Sequence, residues 1–346
     1  MEPFGVGVWS SAEWKAEAVA WLDARLAGAG IERTGEVDQP HLRPWATVLS
    51  APTSAGRMWF KAAGPGTAFE VGLYELLHRV APDYVLPPLA TDTDRGWLVL
   101  PDGGPPLGER LAGPALVDAM EAALPHYGRL QRTLAPEAGR LLALGVDDMR
   151  APTLAERFDE ALAAGQRYVD SKGEHADRDA YARVAALRPG FVAWCAELAE
   201  RPGPVSIDHN DLHPWNVLAG ADGRLDRPRF FDWGDSVVAP AFASMLVCLG
   251  FVRDHVPGLG DDTAPLVVRL RDAYLGAFDD LAPHAELVES LELACRVGKV
   301  ARTLTWDRAV RALDPADLGD DDPWDWDRAP FECMVSLLDD SYLGGA

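Results

Sequence analysis

Apolar positions in the first hundred residues alternate between two periods. Trp14, Ala18, Leu22 and Leu26 recur four apart and predict a helix, opened by a capping-box pair, Ser10 with Glu13, and ended by Gly28 and Gly30. Next, "WATVLS" and "RMWFKAA", rich in aromatic and β-branched residues, flank "APTSAG" and predict a hairpin. Helical spacing returns in "TAFEVGLYELLHRV", with Phe69, Leu73, Leu76, Leu77 and Val80 on one stripe. "YVLPPLATDTDRGWLVLPDGG" then predicts two short strands running into a Pro- and Gly-rich joint at Pro101–Pro106. A boundary is placed there, dividing residues 1–104 from 105–346.

Beyond that joint, alanine and leucine dominate residues 114–145, 152–170, 178–200 and 264–313, which predicts helices. The exception is 204–236, where "VSIDHNDLHPWNVL" and "RFFDWGDS" read as short strands and loops around "AGADGRLDRP". The apolar "VVAPAFASMLVCLGF" that follows reads as a buried helix. The expected class is α/β (α+β): a small N-terminal part with an antiparallel sheet and a larger, mainly helical C-terminal part.

Composition narrows the function classes. A chain of 346 residues, 48% hydrophobic and 25% charged, can bury a large core and has the balance of a soluble globular protein. It contains no run of eighteen apolar residues and no signal-peptide pattern at Met1, so a cytoplasmic location is expected. Cys195, Cys248, Cys295 and Cys333 lie far apart in apolar stretches, the pattern of buried thiols rather than of a disulfide framework or a metal site. The net charge of -22 argues against nucleic acid and anionic membrane partners and suits a cationic one. Acidic "DLGDDDPWDWDR" at 317–328 reads as a solvated loop, whose Trp324 and Trp326 are candidates for lining a cleft.

The candidate chemistry is concentrated in "HNDLHPWN", residues 209–216, and "FFDWGDS", residues 230–236. Asp211, Asn216 and Asp232 supply three hard oxygen-bearing groups from neighbouring loops. Such groups suit Mg²⁺, which keeps several waters and takes one or two carboxylates together with substrate phosphates. In phosphoryl transfer one carboxylate orients the attacking hydroxyl while an amide and a second carboxylate hold metal. Asp211 fits the first role, Asn216 and Asp232 the others. Asp235 is a candidate contact for substrate or a second metal, or a cap for the segment at Ser236. His209 and His213 lack zinc-site spacing and are expected to brace the loop through hydrogen bonds to backbone.

The two motifs, in this order and at this separation, resemble the catalytic loop and metal segment of the aminoglycoside phosphotransferase and choline kinase group. That resemblance implies a bilobal protein-kinase-like fold and transfer of the γ-phosphate of ATP, or of GTP, to a hydroxyl of a small acceptor, with Mg²⁺. Aminoglycosides and amino sugars are among the acceptors it suggests. It further implies a strand lysine paired with a helix glutamate. Lys61 in "MWFKAA" is the candidate lysine. At roughly 100° per residue, Glu70 lies at the margin of the apolar stripe and Glu75 nearly opposite it, so Glu70 is the expected partner. The loop over the phosphates should fall in "VDQPHLRPW", residues 37–45, which has no glycine; His41 or Arg43 would supply charge instead. The adenine-binding joint would lie at Leu100–Gly104, including Asp102. Ordinary protein kinases carry lysine two residues after the catalytic aspartate and a D-F-G segment; His213 and "DWG" stand here, which favours a small-molecule kinase. A protein kinase and a non-catalytic nucleotide-binding pseudokinase are the alternatives.

Overall fold

The computed structural model describes residues 4–220, 225, 227–256, 258–259, 262–312 and 325–344. The chain divides into two compact units, one running up to Gly104 and taking up the chain again from Arg308, the other comprising Pro105–Asp307 and the chain from Asp325.

The first unit opens with α1 (Val6–Trp9) and α2 (Ala12–Gly28). The cap of α2 is Ser11, whose hydroxyl accepts from the Trp14 amide, and not Ser10, which belongs to the end of α1. The capping-box reading was one residue out because the short helix before it takes up Ser10. Strands β1 (Asp38–Arg43), β2 (Ala46–Thr53) and β3 (Gly56–Ala63), helix α3 (Phe69–Val80), and strands β4 (Ala90–Asp92) and β5 (Trp97–Pro101) follow. They form one antiparallel sheet in the order β1-β2-β3-β5-β4. Residues 38–43, expected within a phosphate loop, are therefore the first strand, and the link to β2 shrinks to Pro44 and Trp45. A strand side chain alternates between faces, and β3 divides its residues accordingly. Met58, Phe60 and Ala62 bury against α2 in a core with Trp14, Leu22, Trp97 and Val99. Phe60 and Trp97 meet edge to face at 5.3 Å, an arrangement worth about 1 kcal/mol beyond the area it buries. Lys61 points from the other face.

The second unit is mainly helical. Its elements are α4 (Leu107–Arg110), α5 (Gly113–Leu134), α6 (Ala138–Ala143), β6 (Asp147–Asp148), α7 (Leu154–Ser171), α8 (His175–Ala186), α9 (Arg188–Glu200), β7 (Val205–Asp208), β8 (Val217–Leu218), β9 (Arg229–Phe230), β10 (Val237–Pro240), α10 (Met245–His255), α11 (Ala264–Leu275), α12 (His284–Arg311) and α13 (Ala329–Val335). The expected helix over 264–313 is two helices: α11 stops at Leu275, and Pro283 immediately precedes α12, where its missing amide hydrogen costs nothing and its carbonyl accepts from the Glu286 and Leu287 amides. Likewise "VVAP", read as the start of a helix, is strand β10, with Val237 paired to Asp208 and Asp147. Its adjacent β-branched valines suit a strand flanked on both sides. The three-stranded order β6-β10-β7 and the separate β8-β9 ladder set the two ends of the loop at 209–216. Among the described residues no helix is long and apolar enough to cross a membrane. All four cysteines are buried and free.

Candidate active site

In the first unit Lys61 Nζ lies 2.7 Å from Glu70 Oε2. Glu70 is only 2% exposed, so its charge needs that cation. Glu75 instead accepts from Thr91 Oγ1 at 2.5 Å on the exposed side of α3. Arg43 is exposed at the end of β1, and among the described residues its guanidinium reaches the neighbouring Leu42 carbonyl, at 3.2 Å. His41 is exposed as well. Leu100 is half-buried opposite Trp59, and Asp102 closes the following turn, its Oδ1 accepting from Trp59 Nε1 at 3.2 Å and from the Gly104 amide at 3.1 Å. Both bonds fall on Oδ1, one from β3 and one from its own turn.

In the second unit β7 delivers the chain into residues 209–216 and β8 takes it out. Asn210 (φ 57°) and Asp232 (φ 62°) both adopt the left-handed conformation. That conformation costs about 1 kcal/mol or more for a non-glycine residue and persists only where the surroundings impose it. At Asn210 the constraints are explicit. Its amide N–H donates to Asp208 Oδ1 at 2.7 Å, its carbonyl accepts from Arg302 at 2.9 Å, and its side chain donates to Thr305 Oγ1 at 2.7 Å. At Asp232 the preceding Phe231 is fixed on both sides, its amide donating to the Asn216 carbonyl at 3.2 Å and its carbonyl accepting from His209 Nε2 at 3.0 Å. With Val217 paired to Phe230, these bonds place Asn216 and Asp232 at the same end of the β8-β9 ladder.

His209 is wholly buried, its ring tilted by 41° against Trp233 at 4.6 Å, and its Nδ1 has no hydrogen-bond partner among the described residues. Burial holds it below the usual histidine range, against the pull of Asp211, so it serves as a neutral brace donating through Nε2. His213 does more than brace backbone. Its Nδ1 accepts from the Trp215 amide at 3.2 Å, which leaves the proton on Nε2, 3.3 Å from Asp211 Oδ2. The 3.4 Å approach of Asn216 Nδ2 to that same Nε2 then pairs two donors and cannot be a bond.

Asp211 is 23% exposed and held on three sides. Asn216 Nδ2 donates to its carbonyl at 2.9 Å and to Oδ2 at 3.2 Å, His213 faces Oδ2, and Arg302 lies 3.1 Å from Oδ1. Burial alone would raise its pKa; Arg302 and His213 outweigh that and keep the carboxyl well below the usual carboxylate range. Because Asn216 donates through Nδ2, its carbonyl oxygen is turned away from Asp211. That oxygen and the Asp232 carboxylate are a hard donor set of the kind Mg²⁺ takes alongside phosphate and water. Among the described residues no three His, Cys, Asp or Glu side chains converge on a point. Asp235 is 35% exposed, 3.5 Å from Arg302. Trp326 sits 5.8 Å from Trp306; Trp324 and most of the acidic stretch lie outside the described residues.

The chain matches the model of the phosphotransferase enzyme family over residues 65–287. It belongs to that family. Three solved structures share its fold: a macrolide 2′-phosphotransferase from Brachybacterium faecium, 16% identical over 85% of this chain and 98% of that one, TM-score 0.52; a choline/ethanolamine kinase family protein from Mesorhizobium loti, 17% identical over 92% and 94%, TM-score 0.56; and a Plasmodium vivax ethanolamine kinase, 11% identical over 97% and 91%, TM-score 0.59. At such identities the likeness is one of fold, the protein-kinase-like fold that the motif order implied. No curated protein matches the chain by sequence.

Two features of this phosphotransferase were missed in its sequence. Arg302 is the first; its only signal was a guanidinium on the otherwise apolar or small stripe Leu291, Cys295, Gly298, Thr305. It lies outside the matched residues. The second is a buried polar network beneath the loop. Asp208 Oδ1 accepts from Ser244 Oγ at 2.7 Å, and Ser244 lies 2.9 Å from Tyr127 Oη, which in turn accepts from the His209 amide at 3.0 Å. Gln131 Nε2 bonds the carbonyls of Ile207 and Ala241 at 2.8 and 2.9 Å, and Tyr274 donates to its Oε1.

Proposed function

We propose that this phosphotransferase moves the γ-phosphoryl group of ATP, with GTP as the alternative nucleotide, onto a hydroxyl of a small and preferably cationic acceptor. The observation that carries the reading is Asp211: a partly exposed carboxylate, kept ionised, oriented by three neighbours, in one loop with Asn216. In the reaction the acceptor oxygen forms a bond to the γ-phosphorus as the bond to the β-phosphate oxygen breaks, ADP leaves, and the hydroxyl proton passes to Asp211. A carboxylate with so low a pKa is a weak base, so Asp211 orients the hydroxyl first and takes its proton late. That order suits a loose transition state, in which little proton abstraction is needed before the phosphoryl group departs. Lys61, steadied by Glu70, would meet the α- and β-phosphates. Asn216 and Asp232 would hold Mg²⁺, which when bound neutralises charge on the transferring group.

Two features favour a small acceptor over a peptide. The chain after Asp235 enters the paired strand β10 directly, leaving no length there for a peptide-docking segment. The net charge of -22 supports a cationic acceptor such as an aminoglycoside or amino sugar, and the names of the fold neighbours add macrolides, choline and ethanolamine to the panel worth testing. The test is ATP consumption against that panel, with nucleosides, small alcohols and peptides as controls. A metabolite hit that is lost by orders of magnitude in Asp211→Asn, with ATP affinity changed less than about fivefold, is expected. Turnover retained in the variant would remove the base, and nucleotide binding with no turnover on any acceptor would leave a regulator in place of an enzyme.

A further inference from the structure

Helix α12 carries a charged group to the Asn210 carbonyl from 92 positions away in sequence. The Arg302 side chain is 10% exposed, and a guanidinium so placed must find anions and acceptors. One terminal nitrogen donates to the Asn210 carbonyl at 2.9 Å and lies 3.5 Å from Asp235 Oδ2; the other lies 3.1 Å from Asp211 Oδ1. The indole of Trp306, one helical turn on, underlies the guanidinium at 5.1 Å. Three groups on two pieces of chain are therefore gripped by one rigid plane: the peptide before the base and the base itself in one loop, and the aspartate beyond the metal segment in the other.

The carboxylate of Asp211 has about four lone-pair positions. Arg302 takes one on Oδ1; His213 and Asn216 take two on Oδ2. One remains. We infer that Arg302 is a positioning residue for phosphoryl transfer, which fixes the rotamer of Asp211 through Oδ1 and so leaves a single acceptor direction for the substrate hydroxyl. A planar fork can hold the Asn210 carbonyl and the Asp211 carboxylate at once; an ammonium group, a point charge on a flexible stem, cannot hold both in fixed geometry. Arg302→Lys is therefore expected to keep the charge balance and lose the alignment. The inference rests on the phosphotransferase reading with Asp211 as base.

Two measurements test it. The first needs no substrate: thermal melts of wild type, Arg302→Met, Asp211→Asn and the double variant. Arg302→Met strips two carboxylates of their cation and should melt lower, and Asp211→Asn should recover part of that loss, so the double variant melts above the additive expectation. Strict additivity overturns the inference. The second is steady-state turnover of Mg-ATP with the acceptor found, or with water. Arg302→Met should lower kcat by about 100-fold, the scale of an ångström of misalignment, with the KM for Mg-ATP within about twofold. Little further loss should appear in the Asp211→Asn background. Arg302→Lys should recover melting temperature without recovering kcat, a separation that a merely structural role would not give. An active wild type whose kcat survives Arg302→Met sinks this inference alone; a wild type that turns over Mg-ATP with neither acceptor nor water sinks the phosphotransferase reading instead.

Discussion

Asp208 ends strand β7 one residue before the catalytic loop, and it is the buried acid whose titration should be visible in the stability of the whole second unit. It is 1% exposed, and two donors, Ser244 Oγ and the Asn210 amide, converge on Oδ1 at 2.7 Å. Burial pushes its pKa up to about 6, despite those two bonds and the more distant charge of Arg302. A folded-state pKa above the unfolded value means that the fold prefers the neutral acid. The stability this group contributes is fully present below about pH 4 and is lost as pH rises through about 6. From a value near 4 to one near 6 is a little over two units, or roughly 3 kcal/mol of destabilisation at neutral pH relative to a neutral side chain. Asp208→Asn keeps the shape and the Oδ1 acceptor for both donors while removing the charge. The variant should therefore be more stable than wild type above pH 7, by an increment on the order of 5–10 °C in melting temperature for a unit of this size. The gap should open between pH 4 and pH 7 and stay constant above. Calorimetric melts of both proteins at pH 4.5, 6 and 8 measure it. A variant no more stable than wild type at pH 8, or a difference independent of pH, would falsify the assignment of Asp208 as a destabilising buried acid.

Lys61→Met leaves Glu70 buried beside an apolar side chain and should cost about 2 kcal/mol or more, the lower range for a broken buried pair because Lys61 is partly solvated. Adding Glu70→Gln should restore stability but not Mg-ATP affinity, and restored affinity in the double variant would deny Lys61 its phosphate role. At Asp232, Gly and Ala replacements should part company. Both should weaken Mg²⁺-dependent nucleotide binding in calorimetry, but Asp232→Gly relieves the left-handed backbone and should melt about 1 kcal/mol more stable than Asp232→Ala. Equal nucleotide affinity in wild type and both variants would leave the metal without its carboxylate.

What could be read from the chain followed from how local each signal is. The stripes of α2 and α3, the β2-β3 hairpin and the two short motifs each sit within about a dozen residues, and their periods or spacings are written in consecutive positions. Glu70 could be chosen over Glu75 because both lie on one helix whose apolar face was plain. The failures came where the deciding partner is distant. The valines after "DWGDS" form a strand because Asp208 and Asp147 stand on either side, which no local propensity reveals. Residues 38–43 carry proline, aspartate and glutamine, poor strand formers, and are held extended by pairing with β2. Arg302 and Gln131 were invisible for the same reason: each is one polar residue in a long helix, and its meaning lies in contacts with the loop at Ile207–Asp211.

That distribution also explains how the catalytic loop can hold so awkward a shape. Its own residues give it little: it has no glycine, yet it carries a left-handed residue next to the base, and its partner segment carries another at Asp232. Each such residue disfavours the loop by about 1 kcal/mol, and a net hydrogen bond contributes only about as much. One bond to each strained peptide would merely break even. Asn210 instead has its amide, carbonyl and side chain all engaged, by β7 from below and by α12 from the side, and those holders are themselves immobilised, Asp208 through Ser244 and Tyr127, Arg302 over Trp306. The loop is rigid because it is gripped, not because its sequence prefers that form. In the proposed reaction the energetic consequence would favour catalysis: with Asp211, Asn216 and Asp232 aimed before any substrate arrives, binding energy would not be used to arrange them, and the acceptor would meet a base that already points one way.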